Sequence, residues 1–452
     1  MKQKLIVIAG PTASGKSSLA VLLAERIGGE IISADSMQVY RFMDIGSAKI
    51  REEEKHGIRH YLIDCLDPEE EFNIVRFQEL AGQAMTEIYE RGKIPIIAGG
   101  TGFYIQSVLY QVDFGERTED TDLSFRNSLS RLAEEKGPRF LHEMLREVDP
   151  ASAEAIHENN VKRVIRALEY HRETGRRISD HNREQRERES PYELYYYVLN
   201  MPRPILYERI DRRVDQMLKD GLIDEVKGLM ERGLTDRNLS MQGLGYKEFY
   251  RYLTGSLTLS EATEIVKRDT RHFAKRQLTW FKREKDARWL SLERFDYDPE
   301  KTVDYMLKDM EKPKVSLREG TYGDAEEIYG IMKQVFDELE NKELYCLDDL
   351  ESVQGYLSGD GYAVVACDEE SGRIAASLIC QYPGRDPSNL GNDIGLSEEE
   401  CDRVLHMESA VVLPAYRGQH LEKRLLEYAE ERADRSRTGY LMATVSPHNP
   451  AS

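Results

Sequence analysis

Long apolar runs are missing from this 452-residue chain. None approaches the ~20 residues that a membrane-spanning helix needs. The first residues run straight into a short apolar stretch, without the pattern of a secretory leader. Cysteine is scarce. The five residues, Cys65, Cys346, Cys367, Cys380 and Cys401, are odd in number, scattered, and lack metal-type spacing. That argues against a disulfide framework and for free thiols in a reducing, cytoplasmic setting. There is no internal repeat. Positive charge is also short. The net charge is −19, which at first opposes a nucleic-acid partner. The acidity is local, however. From Lys314 onward 13 cations face 27 anions, whereas the chain before it holds 50 against 55. Within that earlier part, residues 265–290 carry nine cations and three anions. Local charge, not the total, decides contact with phosphates.

What the chain does have, at its start, is Gly10-Pro11-Thr12-Ala13-Ser14-Gly15-Lys16-Ser17. It follows the apolar run Leu5–Ala9, expected to be a buried parallel strand, and precedes a helix from Ser18 to Ala24. Strand, glycine-bounded loop and helix together make a phosphate-binding loop. Its glycines let successive N–H groups converge on one anion. The helix N-terminus adds its dipole, Lys16 a cation, and the Ser17 hydroxyl a ligand for Mg²⁺. Read alone, the loop names a polyphosphate without saying which. It leaves open a small-molecule kinase of the nucleoside-kinase type.

Two further apolar runs, Glu30–Ala34 and Ile94–Ala98, end in Asp35-Ser36-Met37-Gln38 and Gly99-Gly100-Thr101-Gly102. In an open parallel sheet ligands bind beyond the carboxyl ends of the strands. The phosphate loop, Asp35 and Thr101 are therefore expected to share one cleft. The fold class expected is α/β, a P-loop parallel sheet in residues 1–312 with a helical insertion over about 115–190. In the insertion Lys162, Arg163 and Arg166 fall within one helical turn, followed by Arg172, Arg176, Arg177 and Arg183. Glu173, Glu184 and Glu187 are interleaved, so a solvated ion-paired face competes with a phosphate-backbone surface. Pro204–Gly233 is expected to be one long amphipathic helix with Arg209 and Arg213 four apart on a polar face. Gly243–Glu248 is expected to be a turn, and 260–285 a basic helix ending in Trp280-Phe281.

These residues, with Ser33–Tyr40, Met43–Lys49, Gly99–Tyr104, Arg163–Glu169, Gly243–Glu248 and Ala274–Phe281, resemble the tRNA dimethylallyltransferase family in order from about residue 4 to 290. Ser47 stands where the family pattern has threonine. The resemblance implies transfer of a dimethylallyl group from dimethylallyl diphosphate to N6 of the adenosine 3′ of the anticodon in tRNA. It implies that residues Gly10–Ser17 hold the diphosphate, with Lys16, Thr12 and Arg209 at its charge and Mg²⁺ on Ser17. Asp35 would take the N6 proton, with a Mg²⁺-ordering carboxylate as its alternative role. The target base would leave its stack. Ser36, Met37 and Gln38 would border it, and Thr101, Arg126, Lys162, Arg163, Arg166, Gly243, Tyr246 and Lys247 would contact the tRNA anticodon stem-loop. No membrane is implied, and the enzyme would act as a monomer.

Residues 314–452 are similar to the GNAT acetyltransferase fold, an α+β domain, on Met407–Leu413, Pro414–Glu422 and Thr444–Asn449. That resemblance implies an acetyl-CoA pyrophosphate at Arg417–Glu422. His420 and Glu422 replace the small residues of the pattern, and the chain stops where the fold continues. An incomplete or degenerate domain with acetyl-CoA disfavoured is the expectation, with an N-acetyltransferase as its alternative. Two rivals remain beside the kinase: a prenyltransferase acting on free adenine nucleotides, and a binding module whose working part is the acidic C-terminal region. The basic segments at 160–190 and 265–290 separate these readings, since neither a kinase nor a free-nucleotide enzyme needs them.

Overall fold

The computed structural model describes residues 2–112, 123–339, 341–342, 345 and 347–443. The chain divides into two compact units, 1–306 and 307–452. The division falls inside a helix, ahead of the Lys312-Pro313-Lys314 segment that the sequence marks as a linker.

The first unit is built on a six-stranded, wholly parallel sheet. Its strands are β1 (Lys4–Ala9), β2 (Gly29–Ala34), β3 (His60–Tyr61), β4 (Ile94–Gly99), β5 (Glu193–Asn200) and β6 (Ala287–Ser291), in the order β3-β2-β4-β1-β5-β6. Leu5 to Ala9 are fully buried, as a central parallel strand covered on both faces requires. The helices are α1 (Lys16–Ile27), α2 (Ile74–Glu90), α3 (Gly102–Leu109), α4 (Leu123–Lys136), α5 (Pro138–Val148), α6 (Pro150–Ala155), α7 (Val161–Thr174), α8 (Ile178–Glu187), α9 (Arg203–Lys219), α10 (Leu222–Glu231), α11 (Tyr246–Leu253), α12 (Leu259–Phe281) and α13 (Pro299–Met310). Helices α4 to α8 form the insertion and bury a core of their own, with Leu129, Leu141, Leu145, Val164 and Leu168. The single helix expected over 204–233 is in fact two. The break is at Gly221, whose φ of 102° no helix accommodates. Likewise the expected turn over 243–248 stops at Gly245, where α11 begins. Helix α12 opens on a Thr258–Glu261 capping box.

The second unit is a five-stranded α+β fold. Strands β7 (Val315–Glu319), β8 (Gly361–Asp368), β9 (Ile374–Gln381) and β10 (Val404–Val412) run antiparallel, and β11 (Tyr440–Met442) joins β10 in parallel. Helices α14 (Ala325–Glu338), α15 (Leu350–Gly355), α16 (Glu398–Cys401) and α17 (Leu421–Arg432) complete it. The sheet buries both faces with period two. Val364 and Ala366 pack with Leu425 of α17, whereas Ala363 and Val365 pack with Ile328 and Met332 of α14. No described helix is long and apolar enough to cross a membrane.

Candidate active site

Strand pairing decides what meets at the carboxyl edge of the first sheet. Ala9 of β1 lies opposite Gly99 of β4, and Gly99 opposite Ala34 of β2. The three loops that follow, Gly10–Gly15, Asp35–Gln38 and Gly100–Thr101, are therefore neighbours. The Thr101 N–H donates to the Ala34 carbonyl at 3.3 Å. A Cβ on Gly99 would collide with the Ala34 backbone, so this approach requires glycine.

The loop after β1 is shaped as an anion cradle. Gly10 (φ 151°), Ala13 (φ 62°) and Gly15 (φ 89°) turn it, and α1 starts at Lys16 without a side-chain cap. The first-turn N–H groups of α1 thus face outward without intrahelical partners. The Ser14 hydroxyl is 1% exposed and has no hydrogen-bond partner among the described residues. Lys16 Nζ folds back onto the Pro11 carbonyl at 2.7 Å. Burial is the main reason its pKa is pushed down to about 7. The Arg213 guanidinium adds to the drop, and Asp35 opposes it. Burial also lowers Arg213, again against the pull of Asp35. Asp35 is thus the carboxylate whose charge acts on both enclosed cations. A cavity of about 800 Å³ opens beside them, and its walls include Lys16, Ser17, Ile45, Arg213 and Met217. Arg213, not Arg209, lines it. Arg209 stands one turn earlier on α9, its guanidinium over the Tyr297 ring at 5.3 Å.

Asp35 accepts the Met37 N–H at 2.8 Å, which fixes the loop after β2. Gln38 is tied at both ends of its amide, to Ser33 Oγ at 2.9 Å and to the carbonyls of Ser47 and Ala48 at 3.4 Å. Met37 packs so closely on Gly243 that a Cβ there would meet its Cε at 2.5 Å. Tyr246 is fully buried against Gly46 and offers no surface to a ligand. Its hydroxyl donates to Glu225 at 2.7 Å. Lys247 is paired with Glu248 at 3.4 Å. On the insertion, Lys162 and Arg163 are exposed and Arg166 is half-buried, and none of the three is in an ion pair among the described residues. The interleaved acids therefore do not neutralise this turn. Arg126 differs, because its Nε and Nη2 both bond the buried Glu169 at 2.7 Å. The ionic faces expected around Arg176 and Arg183 are present as pairs with Glu184 and Asp180.

Sequence reasoning missed Glu225. Its carboxylate accepts the N–H groups of Asp44 (2.8 Å), Ile45 (2.7 Å) and Gly46 (3.0 Å), and so clamps the Met43–Lys49 motif to α10. Glu225→Ala should destabilise the first unit by about 2–4 kcal/mol, since three N–H donors and a phenol lose their acceptor. Chemical denaturation followed by intrinsic fluorescence measures this, with Glu225→Gln expected between the two.

In the second unit, His420 caps α17 with φ 53° and Gly418 has φ 75°. The segment leading into α17 thus bends through two left-handed residues, one of them a histidine. Glu422 is exposed in the first turn of α17. Lys312 Nζ donates to the Gly418 carbonyl at 3.1 Å. The Thr444–Asn449 motif lies outside the described residues.

Residues 38–284 match the family model described as IPP transferase, and residues 326–452 that of the acetyltransferase (GNAT) family. The tRNA dimethylallyltransferase of Lachnoclostridium phytofermentans is 57% identical over 66% of this chain and 94% of that protein. The full-length tRNA isopentenylpyrophosphate transferase of Bacillus halodurans is 46% identical, with TM-score 0.52 over 69% of this chain and 97% of that one. A eukaryotic dimethylallyltransferase acting on tRNA is 26% identical, with TM-score 0.58 over 95% of this chain and 97% of that one.

Proposed function

The chain belongs to the IPP transferase family, and from that premise we propose how its own residues prenylate tRNA. It transfers a dimethylallyl group from dimethylallyl diphosphate to tRNA, and the acceptor atom is N6 of the adenosine 3′ of the anticodon. The observation that carries this reading is that Lys16 and Arg213 line one cavity beside the loop after β1, with Asp35 the carboxylate that acts on both.

Adenine N6 is a weak nucleophile because its lone pair is delocalised into the ring. The bond that forms is N6–C1 of the prenyl group. The bond that breaks is C1–O, and its electron pair leaves with the diphosphate. Lys16, Arg213 and the first-turn N–H groups of α1 neutralise that departing charge, and Thr12 lines the phosphate end. Asp35 takes the N6 proton. Ser36, Met37 and Gln38 border the flipped base, and Thr101 meets the tRNA beside it. Lys162, Arg163 and Arg166 hold backbone phosphates of the stem-loop. Arg126, held by Glu169, positions α4 against α7 and reaches RNA only through its remaining nitrogen.

Mg²⁺ fits this donor set. Ser17 is exposed on the cavity wall beside Lys16, where its hydroxyl can meet an ion held by the diphosphate. A Mg²⁺ ion held by Ser17 together with diphosphate oxygens and water would supply further charge neutralisation there.

The depressed Lys16 implies a proton linkage. A group whose pKa is about 7 in the free protein is mostly neutral at pH 8.5. A bound polyanion favours its charged form, so binding takes up a proton and weakens as pH rises above 7. Calorimetry of inorganic diphosphate in two buffers of unlike ionisation enthalpy should show this uptake at pH 8.5. Lys16→Arg, charged throughout, should show less.

The function is tested by incubating the protein with Mg²⁺ and labelled dimethylallyl diphosphate, and with either unmodified tRNA or AMP. Label in tRNA and none in AMP is the expected result. Label in AMP would select the free-nucleotide reading.

A further inference from the structure

Helix α12 contributes a buried amide that none of the roles above uses. Gln277 is 6% exposed. Its Oε1 accepts the Thr12 N–H at 2.9 Å, and its Nε2 donates to the Gly100 carbonyl at 2.9 Å. Thr12 belongs to the cradle after β1. Gly100 immediately precedes Thr101 in the loop after β4. One planar head therefore bridges the donor-side loop and the acceptor-side loop. A Cβ at Gly100 would fall on Gln277 Nε2, so the glycine leaves the space the amide fills. Bridging an N–H to a carbonyl needs an acceptor and a donor on one side chain, which glutamine has and leucine or an ionised glutamate does not. The neighbours Lys275 and Arg276 on the same helix are exposed, so α12 offers cations outward and this amide inward.

We propose that Gln277 is a positioning residue that holds the diphosphate cradle and the Thr101 loop in one register. The prenyl C1 and adenine N6 then meet in line. Misplacement of reacting groups by a fraction of an ångström is enough to slow such a reaction greatly. The proposal rests on the reading of the cradle as the donor site.

Gln277→Glu tests it with nearly no change of shape. When ionised, the carboxylate still accepts from Thr12 but sets an oxygen against the Gly100 carbonyl. When protonated, its O–H again donates to Gly100. The ratio of Gln277→Glu to wild-type kcat on tRNA should be below about one tenth at pH 8.5. It should climb severalfold as the pH falls to 6, because a carboxyl buried beside a carbonyl oxygen titrates above its ordinary range. Gln277→Leu should be slow at every pH. A ratio flat with pH, or near unity at pH 8.5, overturns the inference, because a purely structural defect would not be relieved by protonating one oxygen. Calorimetry of wild-type protein with dimethylallyl diphosphate separates the two failures. If the wild type binds no donor, the donor-site reading falls and the inference with it. If it binds the donor and the variants behave as wild type, the inference alone falls.

Discussion

Asp35→Asn should bind tRNA within about threefold of wild type yet turn over about 10²–10⁴-fold more slowly, the usual span for loss of a general base. The replacement is nearly isosteric. Asn keeps an oxygen to accept the Met37 N–H that Asp35 holds at 2.8 Å, so the loop after β2 stays in place. What is lost is the proposed proton acceptor and a carboxylate whose charge acts on both Lys16 and Arg213. The second loss has an opposite sign for the donor. Without Asp35 the cradle is more positive, and diphosphate should bind as well or better. Filter binding for tRNA, calorimetry for diphosphate and single-turnover transfer separate the effects. A carboxylate that only orders Mg²⁺ would instead weaken donor binding along with the rate.

Arg213→Ala should lower kcat/KM for dimethylallyl diphosphate by about 10²–10³, the range seen when a preorganised group that stabilises developing charge is removed. Arg213→Lys should recover part of it, since a point charge replaces the fork of donors. Arg209→Ala should cost less than about tenfold. The two arginines lie four apart on α9, so they face nearly the same way but sit about 6 Å apart along its axis. Only Arg213 reaches the cavity beside Lys16. Arg209 lies over Tyr297. Steady-state kinetics with donor as the varied substrate decides between them. Equal losses in the two variants would return the diphosphate role to Arg209.

That pair shows where sequence reading stops. The spacing of Arg209 and Arg213 was plain, but which turn of α9 borders the cavity was not, and Arg213 is the one of the two that lines it beside Lys16. The cradle was legible because it is local. Strand, glycines, lysine and helix occupy consecutive residues, and their chemistry follows from that order. The meeting of Asp35 and Thr101 with the cradle was legible for a different reason, since parallel strands place their following loops on one edge. Glu225 and Gln277 were not legible. Each hydrogen-bonds loops about 180 and 265 residues away in sequence, and no pattern in an amphipathic helix distinguishes an acid or amide that bonds backbone from one that meets water. Tyr246 differs in the opposite sense. The resemblance sets its motif among residues expected to contact tRNA, whereas its ring is buried and fills the space beside Gly46, where a Cβ would come within 2.5 Å of it. Gly221 split the long helix because the amphipathic pattern continues across it while its backbone does not.

The most direct test is a crystal structure with the unreactive thiolo analogue of dimethylallyl diphosphate and an unmodified anticodon stem-loop. The account predicts diphosphate oxygens on the N–H groups of Gly15–Ser17, with Lys16 and Arg213 at hydrogen-bond distance and a flipped adenine whose N6 faces Asp35. An empty cradle, or an adenine still stacked in its loop with Asp35 turned away, would contradict it.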